Sequence, residues 1–290
     1  MSDNLGSKVA LVAGATRGAG RGIAMELALA GATVVATGRS SRIGGASPMR
    51  RSETIEETAE LIQAAGGECV ARVVDHSDSG QVAGLVDWIR DEFGRLDVLV
   101  NDIWGGDPLT EWGKLFWEHS LENGLALLRT AVDTHLITSW HAAPLLIENG
   151  GLIVEITDGV HDRYRENLFY DLAKHSVNRL ALAQACELKA NGVAAVAVSP
   201  GFLRSEAVLD HFGVSESNWR DAIEQDSHFA YSETPRFVGR GVAALAADPN
   251  AARFSGQALG SWDLSDEYGC TDVDSSRPHW RKDVEAVEPE

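Results

Sequence analysis

The stretch Val9-Ala-Leu-Val-Ala-Gly14-Ala-Thr-Arg17-Gly18-Ala-Gly20 decides the fold. Its unbroken apolar run suits a strand covered on both faces, and the glycines behind it stand where a strand turns sharply into a helix. Glycine at that turn lets the backbone come close to a pyrophosphate. The helix that follows offers unpaired N–H groups and the positive end of its dipole. A plain strand-to-helix turn would look much the same from the glycines alone; the position directly after the first strand favours a dinucleotide loop. Gly14, Thr16, Arg17, Gly18 and Gly20 are thus the first candidate cofactor residues.

Outward from this loop, apolar runs at residues 8–13, 33–37, 69–74, 96–101, 152–157 and 193–199 alternate with segments of helical period at 20–30, 53–65, 80–93, 121–147 and 169–191. Gly31, Gly66, Gly94 and Gly192 fall where those helices should stop. The alternation predicts an α/β fold with one doubly wound parallel sheet of the Rossmann type, about seven strands wide, and helices on both faces. After Pro200-Gly201 the pattern lapses into a mixed segment, 202–233, whose Trp219, Phe229 and Tyr231 suit a substrate cover. Thr234-Pro235 then reads as an N-cap and first-turn proline for a helix to Ala247, and 257–262 as a last strand. One domain, 1–262, is expected, followed by an acidic tail, 263–290, solvated or packed on a neighbouring subunit.

Composition excludes several classes of function. The chain is 44% hydrophobic and 23% charged, as expected of a globular protein that buries a core, and its net charge of −18 repels a phosphate backbone. No nucleic-acid partner is expected. No apolar run approaches the ~20 residues of a membrane helix, and residues 1–7 lack the pattern of a leader, which predicts a cytoplasmic protein without a membrane partner. Cys69, Cys186 and Cys270 are too widely spaced for a disulfide framework or a zinc pair and read as buried thiols. The nine histidines form no helical ligand pair, so no metal is expected. Gly113-Lys114 is followed by Leu115, so no ATPase-type phosphate loop competes.

Two further clusters carry chemistry. At the end of the second strand, where a carboxylate would bind the ribose hydroxyls of NAD, the chain reads Thr37-Gly38-Arg39-Ser40. An arginine there attracts a 2′-phosphate through charge-assisted hydrogen bonds, and Arg17 adds a second cation, so NADP(H) is the expected cofactor. In Tyr170-Asp-Leu-Ala-Lys174 a phenol and an ammonium lie at i and i+4, on one face of a helix. Free tyrosine titrates near ~10, and a neighbouring cation lowers that value by favouring the phenolate. Tyr170 would then protonate a carbonyl oxygen or deprotonate an alcohol.

The glycine motif, Asp75 after the third strand, Asn101 after the fourth, Tyr170 with Lys174, and Pro200-Gly201 occur in the order found in the short-chain dehydrogenase/reductase family, which the chain resembles over nearly its whole length. The stretch Tyr268-Gly-Cys-Thr-Asp-Val-Asp resembles one branch of that family. By this resemblance Asp75 contacts the adenine, Asn101 lies beside the adenosine ribose and supports the central strands, Lys174 also binds the nicotinamide ribose, and Pro200-Gly201 flank the nicotinamide. A homodimer or homotetramer through the two long central helices is likewise implied. So is a small carbonyl or alcohol substrate.

The pattern breaks at three places. Where the family carries a serine that holds the substrate oxygen, the segment is Ile156-Thr157-Asp158-Gly159. An ionised Asp158 would repel a developing alkoxide and raise the pKa of Tyr170. It assists only if protonated, or if it orients water or a hydroxyl-bearing substrate; otherwise the Thr157 hydroxyl takes the serine's part, and both remain candidate catalytic residues. Asn101-Asp-Ile-Trp-Gly-Gly replaces the usual Asn-Asn-Ala-Gly, and Ala131 stands where the family often has an asparagine. Arg163 and Arg165 read as solvated loop residues; Trp104, Trp112, Phe116 and Trp117 read as pocket wall or core. Two functions follow: an NADP(H)-dependent oxidoreductase, or an NADP(H)-binding regulator or scaffold with a degenerate catalytic site. The retained Tyr170/Lys174 pair favours the first.

Overall fold

The unbroken apolar strands are explained by burial on two faces. In the computed structural model, which describes residues 5–45, 49–160 and 163–285, strands β1 (Val9–Ala13), β2 (Thr33–Gly38), β3 (Glu68–Val73), β4 (Val98–Asn101), β5 (Gly151–Ile156), β6 (Val193–Ser199) and β7 (Ala258–Gly260) form one sheet. Its order is β3-β2-β1-β4-β5-β6-β7, with every neighbouring pair parallel. The helices among the described residues are α1 (Gly18–Leu29), α2 (Ile55–Ala64), α3 (Ser79–Phe93), α4 (Leu121–Leu128), α5 (Thr134–Asn149), α6 (Leu168–Leu188), α7 (Glu206–His211), α8 (Pro235–Ala247) and α9 (Ser261–Tyr268).

Successive strand residues point to opposite faces. Ala10 and Val12 therefore pack with Ile23 and Leu27 of α1 and Val238 and Val242 of α8, whereas Val9 and Leu11 pack with Val82, Val86 and Ile89 of α3 and Leu145 of α5. The chain winds from β1 to the β3 edge, then returns to β4 on the other side of β1. That reversal leaves a crevice beyond the carboxyl ends of β1 and β4, where ligands of such sheets bind. Gly94 and Gly192 stop their helices in the left-handed conformation that side chains disfavour, as expected from their positions.

Four expectations are corrected. The helix expected over 121–147 is two helices joined by a π-turn, Arg129–Asp133, where the hydroxyls of Thr130 and Thr134 donate back to the carbonyls of Ala126 and Thr130. Such back-bonding competes with the regular ladder, and π-turns concentrate at functional sites. The last strand is only Ala258–Gly260, because Ser261 already opens α9 and the Asp263 carboxylate accepts the Gly260 N–H.

Part of the stretch after 262 packs on the chain's own domain, while residues such as Asp266, Glu267 and 273–277 are exposed. Leu264 is buried, and Asp272 accepts the Thr234 N–H at 2.8 Å at the start of α8, whose own Thr234 side chain leaves that helix uncapped. Arg240 donates to the carbonyls of Thr271 and Asp272, fastening the segment to its own domain. Finally, of the cysteines only Cys69 is buried; Cys186 is exposed.

Helices α1 and α8 touch backbone to backbone. A Cβ on Gly22 would lie 2.1 Å from the Pro235 carbonyl oxygen, and one on Gly239 2.5 Å from that of Gly22. Gly22→Ala should therefore destabilise the fold by about 1–3 kcal/mol, because backbone cannot move aside cheaply. Gly84→Ala, on the exposed face of α3 with nothing within 4 Å of the new methyl, should be neutral or stabilise by up to ~1 kcal/mol. Urea denaturation midpoints of the two variants check the contrast.

Candidate active site

The crevice is a cleft of about 1000 Å³ whose two ends are chemically different. At one end, Gly14 (φ +91°) bends so sharply that a Cβ would meet the Asp102 carbonyl oxygen at 2.2 Å, and the N–H groups of Gly14 and Ala15 both donate to Thr37 O. Gly20 lies against Gly14 O, where a Cβ would be 2.5 Å away. Thr16, Gly18, Arg39, Ser40 and Asp75 line the same end with Gly14 and Arg17. Arg17 donates to Ser40 Oγ and to Glu53, and Glu53 is also gripped by Arg51 at 2.6 Å. Arg39 stands 3.6 Å from Asp75, whose carboxylate accepts the N–H and hydroxyl of Ser77.

At the other end Asn167 caps α6 by accepting the Tyr170 N–H at 3.0 Å, which sets Tyr170 in the first turn and Lys174 one turn on. The Tyr170 hydroxyl donates to Asp158 Oδ2 at 2.5 Å, and Arg165 Nη2 donates to Asp158 Oδ1 at 2.5 Å. Lys174 Nζ lies 4.1 Å from the Trp104 ring centre and 5.6 Å from that of Tyr170. Trp104 and Trp112 flank the phenol with ring centres 5.5 and 5.2 Å away. Pro200 and Gly201, at the end of β6, complete this wall.

Electrostatics overturn part of the expected tuning. Burial pushes the Asp158 carboxyl upward, but Arg165, the Tyr170 hydroxyl and Lys174 outweigh it and hold the group below the usual carboxylate range. Asp158 is therefore ionised, not protonated. Tyr170 is pushed well above its ordinary value, first by burial and then by Asp158, with Arg165 the cation that opposes them. The lowering expected from Lys174 does not prevail, because burial and the hydrogen-bonded Asp158 carboxylate both favour the protonated phenol. Burial lowers Lys174 itself, against the carboxylates of Asp158, Asp102 and Asp107.

Other candidates separate cleanly. Thr157 Oγ1 donates its proton to Lys174 O at 2.9 Å, so it is not free to replace the serine's donor. Arg165, expected to be merely solvated, is an ion-pair partner of Asp158. Gly20 and Asn101 do not line the cleft. Asn101 instead donates to Ser139 and Glu155 beneath it, in a buried network that His135 joins by pairing with Glu155 at 2.7 Å. Trp104 and Trp112 are pocket wall, while Phe116 and Trp117 are exposed. Ala131 is buried against Leu127 and Ala173 in the π-turn. Among the described residues no cluster of His, Cys, Asp and Glu could hold a metal.

Three acids were not singled out from sequence. Asp102 receives the Gly20 N–H, faces Lys174, and is pushed up by burial to about 7. Glu206, the first residue of α7, accepts the Gly18 N–H at 2.8 Å and pairs with Arg21. Glu233 lies under Gly201, accepting its N–H at 3.0 Å and the Ser261 hydroxyl at 2.5 Å. Only Asp102, as the residue after Asn101, carried any sequence signal; the others come from segments remote in the chain.

Residues 8–211 match the family model for short chain dehydrogenase. Over 279 residues the chain is 36% identical to human dehydrogenase/reductase SDR family member 1, covering 94% of this chain and 86% of the relative. It is 30% identical over 223 residues to an uncharacterized NAD-dependent oxidoreductase of Mycobacterium tuberculosis, covering 72% of this chain and 78% of that one. A crystal structure of a short-chain dehydrogenase/reductase from Burkholderia xenovorans superposes with a TM-score of 0.72 at 25% identity, over 89% of this chain and 95% of the other. The chain belongs to the short-chain dehydrogenase/reductase family of oxidoreductases. Within it, the chain falls in the branch to which its C-terminal stretch pointed, that of family member 1.

Glu233 offers a test of the site's electrostatics. Burial raises its pKa from 4.5 to about 8, so between those values the folded chain holds a proton that the unfolded chain has released. Stability must then fall as pH rises through this window, by at most about 1.4 kcal/mol per unit, and level off above it. Glu233→Gln removes that dependence. Its denaturation midpoint, compared with the wild type at several pH values, should show an advantage that grows from the acidic to the alkaline side.

Proposed function

We propose that this chain is an NADP(H)-dependent oxidoreductase acting between a carbonyl and an alcohol. The observation that carries the reading is that the Tyr170 hydroxyl and the Lys174 ammonium share one cleft with the glycine loop at the switch point of the sheet. The residues present suit such a cofactor: the loop is a cradle in which side chains at Gly14 and Gly20 would collide with backbone, and two arginines stand at the opposite end from the phenol.

Gly14, Thr16 and Gly18, with the N-terminus of α1, would hold the pyrophosphate once it displaces the Glu206 carboxylate from the Gly18 N–H. Arg39, Arg17 and Ser40 would hold the 2′-phosphate, which separates this chain from a relative named for NAD. Asp75 would meet the adenine, Lys174 the nicotinamide ribose, and Pro200-Gly201 the nicotinamide face. Gly20 and Asn101 would act from below, by shaping the loop and the strand ends. When bound, the cofactor supplies or accepts the hydride.

Tyr170 moves the proton at the substrate oxygen. Its hydroxyl must first turn from Asp158 to that oxygen. Once another donor engages Asp158, the hydrogen bond that holds the Tyr170 proton there is released, while Arg165 continues to oppose burial and the charge of Asp158. Trp104 and Trp112 set apolar rings beside the phenol.

We further read the protein as cytoplasmic and as a homodimer or homotetramer without a nucleic-acid partner. Among the described residues no helix is long and apolar enough to cross a membrane, while Leu121, Leu136 and Trp140 stand exposed on α4 and α5.

Two variants test the reading. Tyr170→Phe should lower turnover by about 10²-fold or more while NADPH binding, followed by nucleotide fluorescence, stays within a few-fold of wild type. Arg39→Ala should weaken NADPH relative to NADH by about tenfold to a hundredfold, the worth of one charged hydrogen bond. An unchanged cofactor preference would refute the phosphate assignment.

A further inference from the structure

Resting on the preceding reading of the cleft as a carbonyl and alcohol site, we propose that the substrate carries a hydroxyl on the carbon next to its carbonyl, and that Asp158 is the residue that selects it. The class is an α-hydroxycarbonyl compound, or a vicinal diol in the reverse direction.

The argument begins with hydrogen-bond supply. An ionised carboxylate can only accept. Asp158 Oδ1 is met by Arg165 and Oδ2 by the Tyr170 hydroxyl, each at 2.5 Å. A simple ketone reaching Tyr170 must take that proton from Asp158, leaving Oδ2 bare and setting the ketone oxygen against a carboxylate oxygen. Taking a donor from a half-buried charge without supplying another costs free energy. Thr157 offers no replacement, since its proton is committed to Lys174 O.

A hydroxyl on the adjacent carbon repairs the loss. Two oxygens on neighbouring carbons, held on the same side, are about one hydrogen bond apart, which matches the Tyr170–Asp158 separation. As the phenol turns to the carbonyl oxygen, the substrate hydroxyl takes its place on Oδ2 and the number of hydrogen bonds that Asp158 accepts is conserved. Arg165 and Lys174 already stand as cations beside Asp158, so a neutral hydroxyl supplies the missing donor without adding a third. Arg165 is the positioning residue: it turns Oδ2 toward the phenol by holding Oδ1. Trp104 and Trp112 provide the apolar wall for the rest of the molecule.

The test uses a matched pair, α-hydroxyacetophenone and acetophenone. Binding is measured by calorimetry on the NADP⁺-loaded protein, and turnover by consumption of NADPH. Wild type should bind the hydroxyl-bearing member about tenfold or more tightly, the worth of one hydrogen bond to a charged group. Asp158→Ser should bring the two within about threefold; Arg165→Met should do the same and Arg165→Lys restore most of the difference, which a merely structural role would not. Equal binding by wild type, or binding of neither, overturns the inference. A binding preference without NADPH consumption upholds the selection by Asp158 while ending the oxidoreductase reading of the cleft. Consumption of NADPH with both compounds and no binding preference does the reverse.

Discussion

Everything in the cleft depends on one backbone contact, that between Gly14 at the end of β1 and the Asp102 carbonyl after β4. The two strands are neighbours in the sheet but far apart in the chain, and the helices that follow them leave on opposite faces. Because no Cβ intervenes, the loop after β1 can fold down onto the loop after β4 and Gly20 can close over both. That contact sets the height of the α1 N-terminus. It also holds the Asp102 carboxyl where the Gly20 N–H and the Lys174 ammonium can both reach it. The cofactor end and the chemical end of the cleft are in this way parts of one rigid floor.

Above that floor the site is governed by the consequence of a single acidic residue. Asp158 sits in a cleft where burial disfavours its charge, yet it remains ionised because Arg165 and Tyr170 both donate to it. The same geometry that keeps Asp158 charged makes Tyr170 reluctant to lose its proton. Glu206 and Glu233 hold the loops at other points, the first accepting the Gly18 N–H and the second the Gly201 N–H, so that acidic side chains from the segment after β6 fasten the loops around the cleft.

Much of this was legible in the residues themselves. Strand and helix order followed from apolar runs without interruption and from glycines at helix stops, since a strand buried on both faces has no polar positions. The glycine loop, Arg39 at the tip of β2 and the Tyr170/Lys174 pair were readable because each depends on neighbours within one turn or one strand end. The π-turn within 121–147 was not, as its cause is a competition among hydroxyls and carbonyls that the helical period does not reveal. Nor was the fate of the stretch after 262, where an acidic composition suggested solvent. Asp272 is buried there because the start of α8, remote in sequence, needs an acceptor.

What the sequence determined alone is the order of elements, the glycine-rich turn after the first strand and the presence of a phenol and an amine on one helical face, all consequences of local spacing. Only the tertiary structure decided how those groups are charged. The pKa of Tyr170 is raised first by burial and then by Asp158, which is held by Arg165 across a loop, and the Thr157 hydroxyl donates to a carbonyl of α6. Electrostatic influence depends on distance and solvent exposure in space, and neither quantity is a function of position along the chain.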